Sequence, residues 1–192
     1  DRNLFTYDIR CERFSQLTTG NQTSALTTTD TAIWYTRHDT LFVWDTQKKQ
    51  SLYVRNLPAS DITALTITRN GNIYIGTDNG IYIAQNATDP NMKHQLQNKG
   101  VHTIFESSSR EIWIGTYMDG LYRIINGKLT NVPYSPHDGK GTSDRQIRQF
   151  TEDSQHNIWF GTFSGLEKYN PQTGLYTKIQ IPQHVGGLSH PS

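Results

Sequence analysis

One motif recurs four times along this chain of 192 residues, and it constrains the fold more than any other feature. Each copy is a short run of β-branched and aromatic residues, a composition that favours strands. The copies occupy residues 32–36, 72–77, 111–116 and 157–162. Their leading isoleucines lie at positions 33, 73, 112 and 158, so the spacings are 40, 39 and 46 residues. A nearly constant period of this length indicates stacked structural repeats.

The sequence around each copy predicts four strands per repeat, named A to D from the middle of the fold outwards. The motif is strand B, and strand C follows its turn, as in Leu121–Ile124. Strand A is predicted from two apolar residues that lie 11 and 8 positions before the isoleucine. These pairs are Ile62 and Leu65, Val101 and Ile104, and Ile147 and Phe150, with Gln22 and Ala25 as a degenerate pair. Strand D is expected near residues 51–55, 94–97, 129–132 and 176–181. A 40-residue, four-stranded period predicts an all-β fold, a β-propeller of antiparallel blades.

The repeats predict a single partial propeller rather than separate domains. We expect units at about residues 1–20 (partial), 21–56, 57–98, 99–133 and 144–182, with residues 183–192 linking to a next blade. Residues 3–8 resemble strand C at residues 165–170, so the chain opens midway through a blade. Either the chain is a piece of a larger propeller, or its first two strands complete a small closed ring. We expect the former.

Charge and cysteine content exclude several function classes. The net charge is +1, from 18 basic and 17 acidic residues, which gives no electrostatic case for nucleic acid or an anionic membrane as a partner. Cys11 is the single cysteine, so the sequence predicts neither a disulfide framework nor a cysteine-based metal site. The histidines show no metal-ligand spacing, and we predict no metal and no cofactor.

The repeats resemble a known family. The third copy reads Ile112-Trp113-Ile114-Gly115-Thr116, then a short turn, then Gly120-Leu121-Tyr122-Arg123-Ile124. This pattern is similar to the two-component regulator propeller repeat. The resemblance is strong in the copies beginning at Ile112 and Ile158. It is weaker in the copy beginning at Ile33, where Tyr35-Thr36 replaces Gly-Thr.

This resemblance implies a function that the residues alone do not show. Such repeats build the periplasmic sensor region of Bacteroidetes hybrid two-component systems, typically as seven-bladed propellers, and many of these receptors sense oligosaccharides. The implied role is a non-catalytic sensor module that binds an oligosaccharide or relays its detection, with homodimerisation in the full-length receptor as a further possible partner interaction. Kinase activity would reside in parts absent from this chain. The alternative is a protein-interaction or dimerisation scaffold that binds no ligand.

The candidate contacts lie on the propeller face where the B–C turns and the D–A connections emerge. Flat rings stack on sugars, and carboxylate, amide or guanidinium groups bind hydroxyls. The B–C turns supply Arg37, His38, Asp78, Asn79, Tyr117, Met118, Asp119 and Phe163. Asp, Asn and Gly also populate turns for conformational reasons alone. Tyr117 and Phe163 stand out, because a turn does not require an exposed ring.

The longest connection, residues 133–145, accounts for the spacing of 46 and adds further candidates. Its possible ligand contacts are Tyr134, His137, Asp138, Lys140 and Arg145. Extra length on the face with the opening is where repeat proteins often place binding loops. A surface insertion tolerated at little cost is the competing interpretation.

The remaining motifs favour structure over chemistry. Trp34, Trp113 and Trp159 share one register position with Tyr74, so we expect packing between blades there rather than an aromatic ligand cage. No nucleophile elbow or zinc-protease motif occurs, and we predict no catalytic residues. Glu152 and Asp153 could do acid–base chemistry as a pair, but a solvated strand end explains them more simply.

Overall fold

The computed structural model describes residues 5–8, 12–16, 23–29, 32–57 and 61–180, and in these residues all regular structure is β-strand. The strands form one two-stranded and four four-stranded antiparallel sheets. They are β1 Phe5–Asp8, β2 Arg13–Gln16, β3 Thr23–Thr28, β4 Ala32–Arg37, β5 Thr40–Asp45, β6 Gln50–Asn56, β7 Ile62–Ile67, β8 Ile73–Thr77, β9 Gly80–Ala84, β10 Lys93–Gln95, β11 Val101–Glu106, β12 Ile112–Thr116, β13 Leu121–Ile125, β14 Lys128–Val132, β15 Ile147–Glu152, β16 Ile158–Thr162, β17 Gly165–Asn170 and β18 Leu175–Lys178. The prediction of an all-β propeller of four-stranded blades is confirmed.

Each four-stranded sheet is a meander whose strands pair in chain order, so strands A, B, C and D of every repeat are hydrogen-bonded neighbours. The strands A, which are β3, β7, β11 and β15, pack side by side from one sheet to the next. Apolar residues between successive sheets form three buried clusters. The core is therefore divided among the blade interfaces, as the repeat period requires.

Glycine in strand B lets the next blade approach closely. A Cβ atom built on Gly76 would lie 2.6 Å from Cγ1 of Val101, the first residue of the following strand A. At Gly115 the same construction meets the Cβ and Cγ2 atoms of Ile147 at 2.8 Å. Real Cβ atoms do not approach neighbours this closely, so only glycine leaves room at these two positions. At Gly161, in the last described sheet, a Cβ atom would meet nothing within 4 Å.

The threonine of the motif closes the B–C turn. The side-chain hydroxyl of Thr77 donates to the carbonyl oxygen of Gly80 at 3.0 Å, and that of Thr116 donates to Gly120 at 2.7 Å. Thr162 repeats the bond to Gly165 at 3.0 Å. All three threonines are buried, so the hydroxyl needs a partner, and the turn carbonyl provides it.

The first repeat departs from the motif. The hairpin register pairs Arg37 with Thr40, which places Thr36 and Arg37, not Tyr35 and Thr36, at the Gly-Thr position. The assignment made from sequence was therefore wrong by one residue. The buried Thr36 hydroxyl accepts a hydrogen bond from the Ala25 amide at 3.1 Å, so it pairs with strand A instead of closing the turn.

Three members of the shared tryptophan position, Trp34, Tyr74 and Trp113, pack in the clusters between blades, as predicted, whereas Trp159 in the last described sheet belongs to none of these clusters. Trp113 is fully buried, and its ring centroid lies 5.1 Å from that of Tyr169 in the next sheet. Arg123 places its guanidinium 4.3 Å from the Trp113 ring and 4.6 Å from the Tyr169 ring, and it pairs with Glu111 at 2.5 Å. The interface between the third and fourth four-stranded sheets thus holds a cation between two rings.

The acidic strand ends also serve the blade interfaces. Glu106 accepts a hydrogen bond from the Arg69 amide at 2.9 Å, and Glu152 accepts one from the Ser108 amide at 2.7 Å. Each bond joins the end of strand A to the A–B turn of the preceding blade. Asp153 accepts the Trp159 indole N–H at 2.7 Å, and this bond is the largest cause that lowers the pKa of Asp153 to about 2. Glu152 and Asp153 are therefore occupied by structural bonds.

Strand D is the least regular element. β10 ends at Gln95, two residues earlier than predicted, because Leu96 and Asn98 adopt φ values of 55° and 62° that end the strand. The predicted strand D at residues 176–181 is observed as β18, and Ile181 lies outside the described residues. Residues 183–192 and Gln22 also lie outside them. The unit boundaries, and the choice between a piece of a larger propeller and a closed ring, stay predictions.

Candidate ligand-binding face

The B–C turns and the D–A connections form one continuous surface, which we call the turn face. The amide of Tyr117 donates to Gly100 O at 2.9 Å, which joins the third B–C turn to the connection before it. The amide of Gly120 donates to Arg145 O at 2.9 Å, which joins the same turn to the connection after it. The amide of Phe163 donates to Gln146 O at 3.2 Å. Backbone hydrogen bonds thus join two B–C turns and two D–A connections into one edge.

Four large side chains are exposed on or beside this edge. Phe163 is 73% exposed, Met118 63%, Tyr134 53% and Tyr117 45%. Two of them begin their B–C turns, and Tyr134 lies in the long connection. The turn that begins at Tyr117 contains one residue more than its counterparts, as the sequence indicated. The exposed faces of the three rings are available to stack on a ligand.

A β-bulge recurs near the start of strands A in the last three sheets and positions residues that the sequence analysis missed. The register shifts between Ile62 and Ala64, between Val101 and Thr103, and between Ile147 and Gln149. The bulged residues are Thr63, His102 and Arg148. Bulges often re-aim a side chain beside a functional site.

Two of the bulged residues contact the exposed rings of their own blades. The His102 ring meets the Tyr117 ring edge-on, with centroids 4.6 Å apart and an interplanar angle of 82°. The Arg148 guanidinium lies 5.8 Å from the centre of the Phe163 ring. Burial, followed by the nearby positive charge of Arg148, lowers the pKa of His102, so the neutral ring is favoured. The aromatic residue of each of these two B–C turns therefore packs against a side chain that contains nitrogen: Tyr117 against His102 and Phe163 against Arg148.

Gln146 contacts both the third and the fourth B–C turns. Its side-chain N–H donates to the Met118 sulfur at 2.8 Å, while its backbone carbonyl accepts the Phe163 amide. The Gln146 Oε1 and His102 Nδ1 atoms are buried and have no hydrogen-bond partner among the described residues. Each such atom costs about 1–3 kcal/mol. Trp113 Nε1 and Arg123 Nε, in the packing interface between the third and fourth four-stranded sheets, are also buried without a partner among the described residues, so an unpaired atom does not by itself mark the turn face.

The long connection is pinned to the fold rather than loosely inserted. Tyr134 and Thr142 form a parallel bridge, and Ser135 N donates to Thr142 O at 2.8 Å. A Cβ atom at Gly141 would lie 1.9 Å from the Pro133 carbonyl oxygen, so the loop requires glycine there. Tyr176 N in β18 donates to Gly139 O at 2.8 Å, which ties the connection to the outer edge of the fourth sheet.

A buried carboxylate anchors the same connection. Glu167 in β17 is 1% exposed and accepts hydrogen bonds from the Ser143 amide at 3.0 Å, the Ser143 hydroxyl at 2.8 Å and the Thr142 hydroxyl at 3.2 Å. The other three repeats have aromatic residues at this register position, namely Phe42, Tyr82 and Tyr122. In the one repeat that contains the insertion, Glu167 replaces the aromatic residue found at this position in the others. This replacement was visible in the sequence, and the sequence analysis missed it.

The connection and the fourth B–C turn enclose an open cleft. Tyr134, His137, Arg145 and Lys178 line it together with Ser164. The Arg145 guanidinium lies 5.2 Å from the centre of the Tyr134 ring, and Lys178 Nζ lies 3.3 Å from the Ser164 hydroxyl oxygen. His137 and Lys140 are exposed at the loop tip. The structure thus brings Tyr134, His137 and Arg145 together around Ser164, the residue after Phe163, and it adds Lys178, which the sequence analysis did not select.

The remaining predicted residues are either paired within the protein or lie in the B–C turns of the first two four-stranded sheets. The Asn79 side-chain oxygen accepts the Asn98 amide at 2.7 Å, so it caps the adjacent connection. Asp119 is paired with Lys99 at 3.0 Å. The last three predicted residues lie in the B–C turns of the first two sheets. Asp78 and His38 are exposed, and Arg37 lies 5.9 Å from the centre of the Phe42 ring.

The described part of the chain shows no cluster of three or more His, Cys, Asp or Glu side chains able to hold a metal ion. The same residues include no helix with the length and apolar character needed to span a membrane.

The fold and its repeated motif define a β-propeller repeat protein. Residues 56–79 and 141–164, together about a quarter of the chain, match the family described as two component regulator propeller. The chain therefore carries two-component regulator propeller repeats. Each matched segment runs from a D–A connection through strands A and B to a B–C turn, so the repeat covers the parts that build the turn face.

Solved structures show the same architecture at low sequence identity. The extracellular domain of a putative hybrid two component system from B. thetaiotaomicron is 21% identical with a TM-score of 0.69, and the match covers 86% of this chain and 24% of that one. Virginiamycin B lyase from Staphylococcus aureus is 17% identical with a TM-score of 0.74, covering 95% of this chain and 64% of that one. At these identities the likeness establishes the fold alone.

One curated protein is also similar. The Rho GTPase-activating protein gacL of Dictyostelium discoideum is 26% identical over 133 residues, which are 65% of this chain and 18% of that protein. The chain thus spans less than a fifth of this relative and about a quarter of the hybrid two-component domain.

Proposed function

We propose that this chain is a sensor module of a two-component signalling receptor and that it binds an oligosaccharide on the turn face of its third and fourth four-stranded sheets. The observation that carries the proposal is the grouping of Tyr117, Met118, Phe163 and Tyr134 as exposed side chains around a hydrogen-bonded edge. Aromatic rings offer flat apolar faces to sugar rings, and nearby polar groups select hydroxyl orientation.

The surrounding bonds support a preformed site. The third and fourth B–C turns are both held by backbone bonds to the connection at Arg145 and Gln146. The long connection is fixed by Glu167, so Tyr134 needs little ordering when ligand binds. Preorganisation of this kind reduces the entropy lost on binding.

The signalling part of the proposal rests on the family match. Repeats described as two component regulator propeller occupy two segments of this chain, and an extracellular domain of a putative hybrid two component system shares the fold. By analogy the module would lie outside the cytoplasm, in the periplasm, with kinase activity in other parts of the receptor. Ligand binding would shift an equilibrium between receptor conformations, and homodimerisation could couple that shift to the kinase.

Glycan-array binding followed by calorimetry tests the proposal. The purified protein is applied to an array of oligosaccharides, and the best-binding compound is titrated into wild type, Tyr117→Ala and Phe163→Ala. Loss of one stacked ring should weaken binding about tenfold. Leu52→Ala is the matched control, because Leu52 is an exposed apolar side chain in β6 of the first four-stranded sheet.

The outcomes separate the candidate functions. Weaker binding by both turn variants with an unchanged Leu52→Ala affinity supports the turn face as the site. Unchanged affinity in both turn variants rejects it. No binding to any oligosaccharide, together with a concentration-dependent mass in light scattering, favours the protein-interaction scaffold instead. Turnover of an oligosaccharide would identify an enzyme.

A further inference from the structure

We propose that the oligosaccharide bound at the turn face is acidic and that Arg148 and Arg145 bind its carboxylate or sulfate groups beside Phe163 and Tyr134. This inference rests on the proposed function and narrows it to a substrate class. Both guanidinium groups belong to exposed residues, and each lies near an exposed ring, at 5.8 Å and 5.2 Å from the ring centres. A sugar stacked on either ring would therefore lie beside a cation.

Neither arginine is neutralised by the protein. Within the described residues, no carboxylate lies within 4.0 Å of the Arg145 or Arg148 guanidinium, whereas Arg110 and Arg123 each form an ion pair. Exposed guanidinium groups that stack on rings keep their N–H edges free for planar, two-oxygen acceptors. Carboxylate and sulfate are the acceptors that match this geometry.

The local charge is positive although the chain is nearly neutral. Arg145, Arg148 and Lys178 surround the Phe163-Ser164 turn, while the chain as a whole carries only +1. Cations concentrated on one edge of a balanced chain raise the local concentration of anionic ligands. Lys140 and His137 at the loop tip extend the same edge.

The acidic residues nearby are already occupied. Asp144 accepts hydrogen bonds from the Ser164 amide at 2.7 Å and the Gln146 amide at 2.9 Å. Asp138 accepts the Lys140 amide at 2.9 Å and the Ser135 hydroxyl at 2.5 Å. These carboxylates shape the turn and the loop but keep their negative charges, and Asp144 lines the cleft itself. The cations Arg145, Arg148, Lys140 and Lys178 still outnumber them on this edge, and within the described residues neither carboxylate forms an ion pair with Arg145 or Arg148.

Matched pairs of oligosaccharides test the inference. The array carries uronic-acid oligosaccharides with their methyl esters and sulfated oligosaccharides with their desulfated forms, so each pair differs mainly in charge. The best acidic compound is then titrated into wild type, Arg148→Gln, Arg145→Gln and the control Lys128→Gln. Lys128 is an exposed cation at the start of β14, which follows a C–D turn on the opposite face.

We expect binding to the acidic member of at least one pair and at least tenfold weaker binding to its neutral partner. Each turn-face arginine variant should lose roughly ten- to a hundredfold in affinity, the range for a hydrogen bond to a charged group. Added salt should weaken the wild-type complex, and Lys128→Gln should match wild type. Equal binding to both members of every pair, or arginine variants that bind like wild type, overturns the inference and leaves the proposed function intact. No binding to any member overturns both.

Discussion

Replacing Gly76 by alanine tests the physical basis of the repeat. The new Cβ atom would lie 2.6 Å from Val101 Cγ1, 3.1 Å from Ala64 Cβ and 3.2 Å from Val101 Cβ. Valine on a strand cannot turn its methyl aside freely, because branching at Cβ restricts χ1. The second and third four-stranded sheets would have to separate slightly along a buried cluster.

The expected cost follows from overpacking. Extra methyl groups in a packed interface typically cost about 1–3 kcal/mol, and we expect Gly76→Ala to fall in that range. Val101→Ala removes the Cγ1 atom that makes the 2.6 Å contact and leaves the longer contacts. By itself this substitution costs about 1–3 kcal/mol, because two buried methyl groups are lost. The double variant should therefore lose at least about 0.5 kcal/mol less than the sum of the two single losses.

Urea unfolding monitored by tryptophan fluorescence measures all three variants. Wild type and the single variants define the expected additive loss, and the double variant gives the coupling. A Gly76→Ala protein as stable as wild type, or strictly additive losses, would refute the close-approach explanation for the Gly-Thr motif.

Two further predictions concern acidic residues. Glu167→Gln should speed hydrogen exchange at the Ser143 amide and proteolysis within residues 133–145. The reason is that a side-chain amide cannot accept hydrogen bonds from all three donors, the Ser143 amide and the Ser143 and Thr142 hydroxyls. Unchanged protection would contradict the anchoring role. Asp153 has a pKa lowered to about 2, so it stabilises the fold above the usual value of 3.8, and this contribution is lost as the pH falls towards 2. Asp153→Asn should consequently show a smaller fall in urea midpoint between pH 4 and pH 2 than wild type, and equal falls would refute the assignment.

The fold was predictable because its signal is local and repeated. Strand propensity at Ile112-Trp113-Ile114 is ambiguous in one copy, but four copies at nearly one period leave few architectures. Interblade packing of Trp113 followed from its repetition. The Gly-Thr register of the first repeat was assigned wrongly, although alignment of Ile33 with Ile73 already places Thr36 at the glycine position and Arg37 at the threonine position.

The candidate site was only partly predictable. Tyr117 and Phe163 were selected because turn positions do not require rings, and Tyr134 because it lies in the longest connection; the structure exposes all three. His102 and Arg148 were missed, since a β-bulge arises from the register between two strands and leaves no pattern in either strand alone. Which polar atoms stay unpaired likewise depends on distances between blades that no local pattern encodes.

Hydrogen–deuterium exchange with and without the best-binding oligosaccharide tests the central claim most directly. The proposal predicts slower exchange on binding at residues 117–120, 144–148 and 163–165, which form the turn face of the third and fourth four-stranded sheets. The A–B and C–D turns on the opposite face should be unchanged. Protection confined to those opposite turns, or to the first and second four-stranded sheets, would contradict the assignment of the site.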